Sequence, residues 1–93
     1  MTMSNEYILK VLKNTINELE QKVAEFPADP SYLQILFQIQ FINECLIFNK
    51  DIKIEKGDRV LNFPIIASRS LTDINDKNLI KNIDEILSYI SSI

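Results

Sequence analysis

The sequence predicts an all-α fold, a small antiparallel four-helix bundle that opens with a long helical hairpin. Three observations carry that prediction. The chain of 93 residues has one Gly and three Pro, too few for the many tight turns of a multi-strand protein. Leu, Ile, Lys, Glu, Asn and Gln dominate, a composition that favours helices. Apolar residues recur every three or four positions through most of the chain. The length suits one domain with one core, spanning residues 1–93.

The first helix is expected over residues 5–26. Ile8, Leu12, Thr15, Ile16, Leu19, Val23 and Phe26 form one stripe, and Lys10, Lys13, Asn17, Glu20 and Gln21 fall mostly opposite. Ser4 or Asn5 can cap its start. Glu6 with Lys10 and Glu18 with Lys22 have the favourable acid-first i,i+4 order, and Pro27 stops the helix.

Asp29 then Pro30 reads as a cap followed by a residue suited to the first helical position, so a second helix is expected over 30–49. The very short linker makes the first two helices adjacent and antiparallel. Between residues 31 and 48 the only formal charge is Glu44, and a helix this apolar is expected at the centre of the molecule. The stretch 32–48 is slightly short for a membrane span and contains Gln34, Gln38, Gln40, Asn43 and Glu44, which favours a core helix.

Residues 50–59 change character, with alternating charges, isolated Ile52 and Ile54, and the only Gly at Gly57. A lone strand has no partner in such a chain, so an exposed loop is expected. The next apolar segment contains Pro64, which either kinks a helix or sits in its first turn. The second option is preferred, with a helix over 62–71. A polar connection follows, and Asp76 can cap a last helix over 76–91 whose seam is Leu79, Ile83, Ile86, Ile90 and Ile93.

Much chemistry is excluded by composition. There is no His, which removes the commonest general base and metal ligand. One Cys makes neither a zinc site nor an internal disulfide, and one Gly makes no phosphate-cradling loop. The carboxylate pairs Asp84 with Glu85 and Asp73 with Asp76 remain, but adjacent helical residues point apart and Asp76 is already expected as a cap. No enzyme activity, cofactor or metal is expected. A net charge of −3 and a pI near 4.8 argue against nucleic acid and favour a neutral or basic protein partner. The lone Cys45 and the lack of a signal peptide at the start point to the cytoplasm.

Several side chains are expected to serve either structure or partner. Arg69 in an apolar helix is expected to emerge at the surface or pair with an acid such as Glu44. Gln34, Gln38 and Gln40 are read as the second helix's narrow solvent-facing strip. In the 50–59 segment, Asp51, Glu55 and Asp58 with Ile52 and Ile54 form a connector that also offers a protein-binding surface.

The order of these features carries a resemblance. A first helix ends in Phe26-Pro27, then come Asp29-Pro30-Ser31-Tyr32, Ile39-Gln40-Phe41-Ile42, Asp58-Arg59, the block from Leu61 through Phe63-Pro64 to Arg69, and Asp76 with Leu79. This series resembles small all-helical immunity proteins of bacterial type VI secretion systems, the group that neutralises NAD(P)+ glycohydrolase toxins. It departs from that pattern at Pro64, where a small residue is expected, and at Ser70, where an acid is expected. The resemblance implies a protein without chemistry of its own that binds a toxin domain and blocks access to the dinucleotide. Surface logic names Asp51, Glu55, Asp58 and Arg69 as partner-binding residues, followed by Glu18 and Glu44. The alternatives are immunity to another toxin class, such as a bacteriocin, and a helical adaptor or homodimerisation module.

Overall fold

In the computed structural model, which describes residues 5–92, all regular structure among the described residues is helical. Helix α1 spans Asn5–Glu25, α2 Pro30–Ile47, α3 Ile52–Lys56, α4 Phe63–Ser70 and α5 Lys77–Ser91, with a 3-10 turn at Ile74–Asp76 before α5. Ser4 and Ile93, expected as a cap and as the last seam residue, lie outside the described residues.

The hairpin forms where the sequence places it. Asp29 is extended, and its Oδ1 accepts the Ser31 N–H at 2.9 Å while Pro30 starts α2. Phe26 packs its ring on Tyr32, centroids 5.6 Å apart, closing the turn between the helices. On α1 the buried residues are Ile8, Val11, Leu12, Thr15 and Leu19, and the Thr15 hydroxyl is satisfied by donating to the Val11 carbonyl at 2.7 Å.

Helix α2 ends two residues before the expected Asn49. Asn49 takes φ +55, and the Lys50 N–H reaches back to the Cys45 carbonyl at 2.7 Å while the Asn49 N–H donates to Leu46 at 3.4 Å. This is a Schellman termination with asparagine in the left-handed position that glycine usually fills.

The largest correction concerns residues 50–59. They are not an exposed loop throughout, because Ile52–Lys56 is a helical turn. Asp51 Oδ1 accepts the Lys53 and Ile54 N–H groups at 2.9 and 3.4 Å, and Gly57 at φ +56 terminates the turn. Residues two apart on a helix face away from one another, so Ile52 is 2% exposed and joins the core while Ile54 is 74% exposed.

Helix α4 begins at Phe63 with Pro64 in the first turn, where a missing N–H has no intrahelical partner to lose. Its preceding residue, Asn62, makes no side-chain cap. The cap comes from α2: Gln38 Oε1 accepts the Phe63 N–H at 2.8 Å, and Gln38 Nε2 donates to Asn62 Oδ1 at 2.7 Å. Gln38 therefore belongs to an inter-helix joint, not to a solvent-facing strip.

Asp76 also departs from expectation. It stands at the start of α5 but makes no capping bond, and it is 4% exposed. Its Oδ1 meets Lys22 Nζ at 2.7 Å, fastening the end of α1 to the start of α5. Asp73 makes the local turn bond instead, accepting the Asn75 N–H at 3.0 Å.

At the other end of α1, the Tyr89 hydroxyl donates to Asn5 Oδ1 at 3.2 Å and the Tyr7 hydroxyl to Glu85 Oε2 at 2.9 Å. With Lys22 against Asp76, these contacts make α1 and α5 antiparallel. Helix α1 lies between α2 and α5, and α4 also touches both of those, so the four longer helices form a ring with α2 and α5 on opposite sides. A smallest dimension of 19 Å fits two helix layers. The core combines Leu12, Leu19, Ile35, Ile39, Ile42, Phe63, Leu79, Ile83 and Ile86 with Ile52 of α3.

Candidate interaction surface

A ring gives each helix an outer side, and on α2 that side carries an apolar stripe beside its polar residues. Tyr32, Ile35, Leu36, Ile39, Ile42 and Cys45 face the core. Leu33 and Phe37 remain exposed, Phe37 at 60%, and Phe41 is half-buried one turn further on. Steps of four and three align positions 33, 37, 41 and 44 along one stripe, so Glu44, the helix's single charge, stands among them. Just beyond, Ile47 and Phe48 are exposed. The expected narrow glutamine strip is thus corrected: Leu33 and Phe37 also reach solvent, because α3 and α4 have five and eight residues and do not cover a helix of eighteen.

Across the stripe, the connection from α3 to α4 forms a shallow groove of about 150 Å³ with α2, lined by Phe37, Gln38, Phe41, Arg59, Val60 and Leu61. Val60 is 80% exposed. The Arg59 guanidinium lies over the Phe41 ring, 4.8 Å from its centroid. Its Nε donates to the Lys56 carbonyl and its Nη2 to that of Glu55, both at 3.3 Å. Sequence reasoning passed over Arg59 and Phe37 as surface residues; the signal was the i,i+4 recurrence 33, 37, 41 on a helix already too apolar for a single buried face.

The partner-binding residues named from sequence fall in three places. Asp51, Glu55 and Glu44 gather around Cys45 at the C-terminal end of α2, Asp51 lining the same cavity as the thiol and both glutamates acting on it electrostatically. Asp58 is exposed in the turn after α3. Glu18 lies elsewhere, in a depression shared with Lys22, Glu25 and Asp76. Arg69 is exposed in the last turn of α4, and the expected pair with Glu44 is not formed: among the described residues the one ion pair is Lys22 with Asp76.

Charge at the α3 end is mixed. Lys50, Lys53, Lys56 and Arg59 balance Asp51, Glu55, Asp58 and Glu44, four against four. The carboxylates do not form a separate acidic face. A cavity of about 400 Å³ opens here between the ends of α1, α2 and α5, lined by Asn5, Asn49, Lys50, Lys53 and Tyr89 among others. Burial pushes the Cys45 thiol up, with Glu55 adding in the same direction, which keeps it protonated at neutral pH.

Among the described residues no group of His, Cys, Asp or Glu is placed to hold a metal ion, and no helix is long and apolar enough to cross a membrane. Compared with known proteins, the chain matches no family model, no curated protein and no solved structure.

Proposed function

We propose that this chain acts by binding another protein, as the immunity partner of a secreted toxin of the NAD(P)+ glycohydrolase type, and that it inhibits by covering the toxin's active site. The observation that carries the binding reading is the open stripe of Leu33, Phe37 and Phe41 with Arg59 and Val60 beside it. Exposed aromatic and arginine side chains in one patch, rimmed by charge, have the composition of a protein-binding hot spot. The toxin reading rests on the sequence resemblance, together with a composition that contains no histidine and a single cysteine.

Glu44 stands along the stripe, and Glu55, Lys56 and Asp58 come just before Arg59 in the chain; interleaved signs of this kind fix register more than they add affinity. Asp51 has a structural duty as the α3 cap, so its contribution to binding is separable only by a change that keeps the cap.

Co-expression tests the reading. A toxin encoded beside this chain's gene should deplete cellular NAD+ when expressed alone, and co-expression of the chain should restore it. Persistent depletion alongside ample folded chain rejects the proposal. Protection against a toxin that leaves NAD+ untouched transfers the chain to immunity against another chemistry.

A further inference from the structure

We infer that the groove between α2 and the residue 59–61 connection seats a partner segment in which an acidic residue adjoins a bulky apolar one. The inference deepens the binding reading above and rests on that reading alone, whatever the partner's activity.

The apolar half of the site is the space between Phe37, Phe41, Val60 and Leu61. Its volume of about 150 Å³ suits one large side chain, not a whole ligand. Phe37 and Val60 stand exposed on either side of it, so an entering side chain removes apolar surface from water on two walls.

The acidic half follows from Arg59. Its guanidinium is held by two backbone carbonyls and the Phe41 ring, and among the described residues no carboxylate lies within ion-pair distance. Of the roughly five N–H donors of an arginine, two are engaged by those carbonyls, and the others have no protein acceptor among the described residues. A guanidinium already fixed in one pose loses little rotamer freedom when a carboxylate arrives, and its planar fork matches a carboxylate in two parallel bonds. Lysine does not reproduce that geometry. The anchor and the groove share Phe41, so a single short segment spans both.

Selection of displayed random linear peptides on the immobilised full chain tests the inference, followed by titration of the enriched peptides against variants. Enriched peptides should place Asp or Glu beside Leu, Ile or Phe. Their affinity should fall about tenfold or more in Phe37→Ala and in Arg59→Ala, with Arg59→Lys failing to restore it. Ile74→Ala, at an exposed position in the 3-10 turn, should leave affinity unchanged. Melting curves matching the unaltered chain establish that each variant is folded.

Absence of any enrichment, enriched peptides without an acid, or equal affinity for all variants overturns the inference. So does a concentration-dependent dimer abolished by Phe37→Ala, which would give the groove to a second copy. These outcomes are independent of the NAD+ assay. A chain that protects cells but selects no such peptide binds its toxin elsewhere, and one that selects them without protecting refutes only the toxin assignment.

Discussion

Single side chains in this protein take on roles that local sequence rules assign to their neighbours. Gln38 caps α4 from another helix, so Gln38→Ala should lower stability by about 1–2 kcal/mol, read as a fall in the urea midpoint with an unchanged slope. Asn62→Ala should cost less, because the Phe63 N–H keeps its acceptor. Asp76 was legible as a helix-start residue but not as the partner of Lys22, since the two are brought together only by the fold. The hydrogen bond to Asp76 raises the Lys22 pKa above its ordinary value near 10.5. The folded state then holds that proton more tightly than the unfolded state. The contribution is complete below the unfolded pKa and is lost as pH climbs through the folded one. Tyr7, raised by its bond to Glu85, acts in the same direction. Urea midpoints measured upward from about pH 9 should therefore fall more steeply for the natural chain than for Lys22→Met, and the two should run parallel near neutrality.

At the level of elements, the sequence is most legible where apolar period and stop signals agree. Helix α1, the Asp29-Pro30 start of α2 and the length of α5 follow directly from them. Helix α3 was missed because its five residues are too few for a period to register, and Ile52 and Ile54 imitate strand alternation. Asp51 and Gly57, a cap and a terminator six residues apart, were the available signal. The helical turn makes a sharp contrast testable: Ile52→Ala should cost about 2–4 kcal/mol, whereas Ile54→Ala should stay within about 0.5 kcal/mol. An exposed loop would give two small, similar values. The end of α2 offers a second contrast in thermal melting. Asn49→Ala places a Cβ in a left-handed conformation without asparagine's local bonding and should cost about 1 kcal/mol, while Asn49→Gly should be neutral or stabilising.

For the molecule as a whole, the all-α class was readable from composition, but the place of α2 was not. Its apolar surplus predicts a central helix whose narrow solvent-facing strip is glutamine. Ring packing instead gives it one long neighbour, α1, and leaves an outer stripe, because α3 and α4, the other helices it touches, are too short to wrap it. Of the candidate surface, Glu55 and Asp58 were legible as exposed acids and Glu44 as the single charge of its helix, whereas Phe37 and Arg59 were not. Phe37 looked like core, and Arg59 gains meaning only when the connection folds it onto Phe41. The charges can be tested without disturbing α3: Asp51→Asn keeps the capping oxygen, so combining it with Glu55→Gln and Asp58→Asn removes charge alone. That triple variant should leave stability within about 0.5 kcal/mol and alter the salt dependence of association with the proposed toxin partner.

The central claim is that α2's outer face, and no chemistry of the chain's own, carries its action. Titration of the proposed toxin partner with purified chain, following NAD+ cleavage, tests it most directly. Stoichiometric inhibition by the natural chain should weaken about 30-fold or more in a folded Phe37→Ala, Arg59→Ala double variant. Equal inhibition by both proteins, or no inhibition by either, would contradict it.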